Sequence, residues 1–396
     1  MAHIYHIPTW WPSEQKPFNG IFILNLIDAL AEANPNHQHT IAIHSTNLQW
    51  ISPRNIIKDT INFFNKDHAV LRNEANIHYK VIKRTIGMNP ITGINYIQSL
   101  TNKHLKVIES LPSKPDLIHA HVSYPSLLIA QVISKKYNIP YILTEHSTRF
   151  PDRRFEDFGY SHDQIAEAFI ACSATIAVSQ HLGNKFLCYG KVADYIIPNF
   201  ITWQKPVLTP KAPPFTFLII ALLNDSRKKI GLVIYALSLV LKNVSEVQLI
   251  IAGEGSMKKD LMKQSAALGL NDHITWFGLT DEPKKMNLLI RSHALIISSE
   301  EETFGITAIE AHSYGLPVLS TRCGGPEEII QPFNGILVEK NDMNKMAEGM
   351  IYMINHLQSF EAQHIQSASY AIYGKDKITS QYLKVYANIL DHSKTH

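Results

Sequence analysis

The chain has 396 residues, 45% of them hydrophobic and 18% charged, with no low-complexity tract, and that length exceeds one ordinary core and points to two domains. A net charge of +3 and a pI near 8.5 fall far short of the dense Lys/Arg fields of nucleic-acid binders, which excludes nucleic acid as the expected partner. Three cysteines, Cys172, Cys188 and Cys323, form no C-x-x-C pair, so free thiols in a reducing compartment are expected rather than a disulfide framework or a zinc ribbon.

The N-terminal MAHIYHIPTWWPSE lacks a basic segment followed by an apolar one, and the longest apolar run, Phe215–Leu223, is too short to span a bilayer. The expectation is a cytoplasmic protein, with peripheral attachment at the inner membrane face left open. HIYHIP, TIAIHS, DLIHAHV, PYILTEH and TIAVSQ then read as strands, separated by helical stretches such as IFILNLIDALAEA and SLLIAQVISKKY; this is the parallel βαβ pattern. The segment Ile197–Phe215 breaks it with five prolines and reads as a linker. Alternation resumes with strands TFLIIALL, VQLIIAGEG, ITWFG, HALIISS, PVLST and GILVE around helices such as GLVIYALSLVLKN and GITAIEAHSYG, and the tail from Ala347 is helical in pattern.

The chain is thus read as α/β, with two Rossmann-like doubly wound domains facing across a cleft. Their expected bounds are 1–198 for the first domain, 199–214 for the linker and 215–375 for the second. A C-terminal helix, 376–396, is expected to pack back on the first domain. Such sheets bind ligands outside the C-terminal ends of their strands.

One such end is Glu301–Val318, EETFGITAIEAHSYGLPV, which places Glu302 and Glu310 eight positions apart across a Phe-Gly turn. A helix starting at Gly305–Ile306 would present the amides of Gly305, Ile306 and Thr307, with the helix dipole, to a phosphate. Carboxylates accept hydrogen bonds from vicinal hydroxyls, so a carboxylate on either side of that helix start suits a nucleotide sugar. The plainer alternative is a loop charge and a solvated helix face. Two further glycine loops weigh against it: Gly324-Gly325-Pro326 after PVLST, and the AGEGS loop carrying Gly253 and Gly255.

The run EETFGITAIEAHSYGLPVLSTRCGGPEEI resembles the E-x7-E signature and following Gly-Gly loop of the retaining glycosyltransferases of family 4, which have the GT-B fold. NGIFILNLIDAL, DLIHAH, TEHS, TIAVSQHLGNKF, VADYIIPNFI, LIIAGEGSMKKDL and ITWFG extend the resemblance over most of the chain. It implies that Glu302 holds the donor sugar hydroxyls, that Glu310 holds the ribose, and that the amides of Phe304, Gly305, Ile306 and Thr307 cradle sugar and diphosphate. It further implies that the Asn19-Gly20 turn lets a helix N-terminus approach the diphosphate and that His121 lies near the reaction centre. No cofactor and no metal are implied; His119 with His121 is the alternative, as a metal pair.

The sequence departs from the family where Gly-Arg is usual, reading Leu222-Leu223. Alignment on YAL makes Lys228 the expected lysine, with Arg227 supplying the missing cation and the register among Arg227, Lys228 and Lys229 open. The implied reaction moves a sugar, with retention and without a metal, from a UDP- or GDP-sugar to a glycan or lipid-linked acceptor in cell-surface polysaccharide or glycolipid synthesis. A nucleotide-sugar-binding partner subunit without transfer activity is the alternative. Trp50, Phe150, Arg149, Arg153 and Arg154 are the acceptor-side candidates, and the whole excess of positive charge falls within residues 1–200.

Overall fold

The structure, a computed structural model, describes residues 1–14, 16–44, 69–72, 76–82, 96–152, 154–157, 159–203 and 205–393. The chain divides into two units, Met1–Pro198 with Ile378–His396, and Asn199–Lys377. The first holds β1 (His3–Pro8), β2 (Gln38–His44), β3 (Ile77–Ile82), β4 (Leu117–His121), β5 (Tyr141–Glu145), β6 (Ala174–Ala177) and β7 (Tyr195–Ile196). The second holds β8 (Phe215–Ile220), β9 (Val247–Ala252), β10 (Ile274–Gly278), β11 (Ala294–Ile297), β12 (Val318–Thr321) and β13 (Gly335–Val338).

Both sheets are parallel throughout. The first runs β3-β2-β1-β4-β5-β6-β7 and the second β10-β9-β8-β11-β12-β13, so the order reverses between β1 and β4 and between β8 and β11. Those reversals open crevices at the C-terminal strand ends, the usual ligand position in such sheets. The expected doubly wound α/β class is what the chain adopts. Strands such as β4 and β11 are buried along their whole length, as parallel strands covered on both faces are.

Local signals explain the helix starts. Ser161 accepts from Gln164 N while the Gln164 side chain accepts from Ser161 N, a capping box for the helix His162–Ile170. Asp281 caps the helix Glu282–Arg291 by accepting from Lys284 N. In the second unit Val233, Leu237 and Val240 of the helix Ile230–Val240 share a buried core with Leu249 and Ile251 of β9 and with Met346 and Met350 of the helix Met343–Asn355. The first unit has a cluster of Trp11, Ile23, Ile27, Ile41, Ile43 and Ile77. Among the described residues no helix is long and apolar enough to cross a membrane.

Leu237 is a fully buried member of the second unit's core. Leu237→Ala is expected to cost ~2–5 kcal/mol, transfer and cavity costs together, read from urea unfolding. A loss below about 1 kcal/mol would show that the neighbouring methionines collapse into the space.

Candidate functional site

The site in the second unit is built where β11 and β12 end. After β11 come Ser298, Ser299 and a short loop, and the helix Ile306–Ser313 begins behind Gly305, which has φ 94°. A residue with a side chain tolerates that backbone poorly. After β12 the chain turns through Gly324 and Gly325. The loops are fastened together: Glu302 N donates to Cys323 O at 2.7 Å, and Gly325 N donates to Glu302 O at 2.9 Å. The approach is so close that a Cβ on Gly325 would lie 2.4 Å from Phe304 Cα.

With its backbone gripped in this way, Glu302 extends its side chain to two partners. Its Oε1 accepts from Lys228 Nζ at 2.5 Å and from Ser299 Oγ at 2.6 Å. Ser298 Oγ donates to the Lys228 carbonyl at 2.6 Å, and Glu300 N donates to the Arg227 carbonyl at 2.7 Å, stitching the turn after β8 to the loop after β11. Lys228, Ser298, Ser299, Glu302, Gly305, Ile306 and Thr307 thereby line a cavity of about 80 Å³.

The three cations of the basic turn differ in their partners. Arg227 is folded back on Asp225, at 2.6 Å from Nη2 to Oδ2, and those hydrogen bonds hold the Asp225 carboxyl below its ordinary range. Lys229 pairs with Glu300 at 2.9 Å. Lys228, between them, is the cation of the three that lines the cavity.

Glu310 lies one turn into the helix, buried to 8% exposure, with Oε1 accepting from Lys285 Nζ at 2.5 Å; Lys285 also sits 5.0 Å from the Trp203 ring centroid. It does not line the cavity that holds Glu302. Gly253 and Gly255 lie against the chain after β8, where a Cβ would come within 1.8 Å of Ala221 O and 2.2 Å of Leu223 C. Close backbone packing accounts for both glycines without a ligand.

In the first unit, Gly20, with φ 72°, heads the helix Ile21–Ala33, and Asn19 Nδ2 donates to Trp11 O at 3.4 Å. His121 ends β4. The next residue, Val122, has φ 68° and is fully buried, an outlying conformation for a β-branched side chain. It is held from several sides: Val122 N donates to Thr144 O at 2.8 Å, Thr9 Oγ1 donates to the carbonyls of Val122 and Tyr124, and Ser123 N donates to the buried Glu145 at 2.8 Å. Glu145 also accepts from His146 N and Ser147 N, and burial still pushes its carboxyl above the ordinary range. Strain of this kind persists where surroundings over-determine it, commonly at functional sites.

His6, His119 and His121 are buried, with one nitrogen of each within 4.8 Å of the others; they are the residues among those described that could hold a metal ion. Burial keeps all three imidazoles neutral, well below their ordinary titration range. Of the acceptor-side candidates, Trp50 and Arg153 lie outside the described residues. Phe150 is buried against Phe169, Phe186 and Tyr189, a core role, and Arg154 pairs with Asp152.

Sequence reasoning missed Ser298, Ser299, Lys285 and His6. The Ser-Ser pair closing HALIISS at a strand's C-terminal end was a usable signal. Lys285 and His6 carried none, because each meets its partner only across the fold.

Residues 20–204 match the family model described as Glycosyltransferase Family 4, and residues 202–368 match that of Glycosyl transferases group 1. An uncharacterized glycosyltransferase of Methanocaldococcus jannaschii is 25% identical over 291 residues, 72% of this chain and 78% of that protein. The lipopolysaccharide 1,6-galactosyltransferase of Salmonella typhimurium is 25% identical over 264 residues, 62% of this chain and 70% of that one. Among solved structures, Anabaena HepE in complex with UDP and glucose superposes with a TM-score of 0.66 at 17% identity, covering 98% of this chain and 99% of that one.

The Lys228 side chain is 31% exposed and that of Glu302 15%, so the pair is partly solvent-screened. A double-mutant cycle of Lys228→Ala and Glu302→Ala, read by urea unfolding, is expected to give a coupling of about 0.2–1 kcal/mol. Coupling near 3 kcal/mol or more would mark the pair as a stability element rather than a poised charge.

Proposed function

From the premise that this chain is a glycosyltransferase of family 4, with a fold of the GT-B type, we propose that it transfers a sugar, with retention and without a metal, from a UDP- or GDP-sugar to a glycan or lipid-linked acceptor. The observation that carries the reading is the Lys228–Glu302 pair at a cavity closed by the start of the Ile306–Ser313 helix. Cation, carboxylate and helix start converge there within one unit.

The chemistry needs charge stabilised on a departing diphosphate. The amides at the helix start, the helix dipole and Lys228 are preorganised for an anion. Lys228 donates to Glu302. A phosphate entering the cavity competes for the ammonium, and Glu302 is then released to accept from the donor sugar's hydroxyls. Glu310, held by Lys285, is assigned to the ribose diol, and Phe304, Gly305, Ile306 and Thr307 to sugar and diphosphate.

Arg227 is given the lesser role of orienting the turn, because Asp225 already occupies its guanidinium. Gly253 and Gly255 keep their loop close to β8 and so shape the site's rim. In the first unit, Asn19 and Gly20 set a helix start and His121 ends β4. The acceptor hydroxyl attacks from the face the diphosphate leaves, its proton passing to the leaving phosphate, so no enzymic nucleophile is required.

The 1,6-galactosyltransferase relative and the basic excess in residues 1–200 favour synthesis of cell-surface polysaccharide or glycolipid, with peripheral contact at an anionic membrane face. The alternative, a partner subunit that binds sugar nucleotides without transferring them, is favoured by Leu222-Leu223 standing where family members have Gly-Arg.

A panel of sugar nucleotides screened for thermal stabilisation identifies the donor, and turnover of that donor, by transfer or hydrolysis in EDTA, decides between the two readings. Lys228→Ala is expected to lower kcat about 10²–10³-fold while donor affinity changes far less, since charge on the diphosphate grows as the glycosidic bond breaks. Donor binding without turnover favours the partner subunit. Turnover by Lys228→Ala near the wild-type rate removes Lys228 from the mechanism.

A further inference from the structure

His39, His6 and His121 stand on one face of the first sheet. In parallel pairing, residues in register point the same way, and β1 pairs His6 with His119 of β4 and Ile4 with His39 of β2. With two-residue alternation along each strand, His121 shares the face of His119, and His39 that of His6. The rings form a chain. His6 Nε2 faces His39 Nδ1 at 3.0 Å, and His6 Nδ1 faces His121 Nε2 at 3.0 Å. Ring centroids 5.2 and 5.3 Å apart, the separation that 3.0 Å links give when they run outward along the rings, and interplanar angles of 21° and 23° put the links near the ring planes, where N–H bonds and lone pairs lie.

A neutral imidazole carries one N–H and one lone pair. Both links join an Nδ1 to an Nε2, so a proton on His6 Nδ1 requires the protons of His121 and His39 to be on Nδ1 too. A proton on His6 Nε2 requires all three on Nε2. Any mixture sets two N–H groups or two lone pairs against each other in the protein interior and loses a buried hydrogen bond. The two ends, His39 Nε2 and His121 Nδ1, are buried and without a hydrogen-bond partner among the described residues. His119 does not compete for His121: its Nδ1 meets Tyr386 OH at 2.7 Å and its Nε2 meets Thr144 Oγ1 at 2.8 Å.

We propose that His6 is a positioning residue for His121: with His39 behind it, it locks His121 into one ring orientation and ties its tautomer to theirs, leaving Nδ1 as the His121 nitrogen that no described residue engages. Flipping the His121 ring would break the link to His6. The backbone is fixed as well, by Thr9 N donating to His121 O at 3.1 Å and by the braced turn at Val122. That this nitrogen serves sugar transfer rests on the proposed function, whereas the coupling of the three tautomers does not.

The test is a long-range ¹H–¹⁵N spectrum of the ¹⁵N-histidine-labelled full chain. The expected result is one shared tautomer for His6, His39 and His121; unlike tautomers among them overturn the proposal. His6→Phe should release His121 into a mixture of tautomers and lower kcat about tenfold or more with KM little changed, as misorientation of a positioned group does. His6→Asn, whose amide still reaches the Nδ1 position, should restore most of the rate. An unchanged His121 spectrum in His6→Phe overturns the lock, and should that variant not fold, the wild-type spectrum decides alone. One equivalent of Zn²⁺ held by the purified protein, measured by mass spectrometry, also overturns it, because coordination takes the lone pairs the chain needs. Failure of the wild type to turn over any sugar nucleotide removes the proposed function and leaves the spectroscopic result standing.

Discussion

Two backbone hydrogen bonds, from Glu302 N to Cys323 O and from Gly325 N to Glu302 O, fasten the loop after β11 to the loop after β12. The geometry of the second unit's site follows from them. They fix the backbone of Glu302, and a fixed Glu302 gives Lys228 a place to rest. They also press Gly305 and Gly325 against neighbours that leave no room for a side chain, which sets where the Ile306–Ser313 helix begins. A parallel sheet makes this possible, since its strands all end on the same edge.

On the proposed function, the pairing of Lys228 with Glu302 is a waiting state rather than a stabilising bridge. A partly exposed ion pair gains little against solvent, so exchanging the carboxylate for a phosphate costs little. In the reaction proposed, the same ammonium beside a diphosphate, with helix amides opposite, would act on charge that grows as the bond breaks and would need no reorganisation at that moment. The neighbouring cations have other duties. Arg227 closes its own turn on Asp225, and Lys229 ties that turn to Glu300. The first unit reaches fixity by another route, through buried imidazoles that share hydrogen bonds along one sheet face.

Much of the fold was legible because buried parallel strands are written as continuous apolar runs: FTFLII, VQLIIA and ALII are strands wherever they fall between helical periods. The resemblance to family 4 was equally open, through the order and spacing of its motifs. β3 was not read, since its IHYKVI is half exposed and carries no such run, and neither was the two-residue β7. Within the site, local sequence placed Glu302, Gly305 and the helix start, for these depend on their own neighbours. It left Arg227, Lys228 and Lys229 in open register, because their pairings are made with Asp225, Glu302 and Glu300, two of which lie in a loop more than 70 residues away. The histidine chain was invisible for the same reason: each ring alone is an ordinary buried histidine, and the arrangement exists only once β2, β1 and β4 pair.

The central claim is that the start of the Ile306–Ser313 helix, with Lys228 and Glu310, receives a nucleoside diphosphate. A crystal structure of the full chain with bound UDP tests it most directly. The account predicts diphosphate oxygens within hydrogen-bond distance of the Ile306 or Thr307 amides and of Lys228 Nζ, with Lys228 drawn off Glu302 and the ribose hydroxyls on Glu310. UDP seated elsewhere, with the Lys228–Glu302 pair intact and Glu310 still held by Lys285 alone, would contradict it.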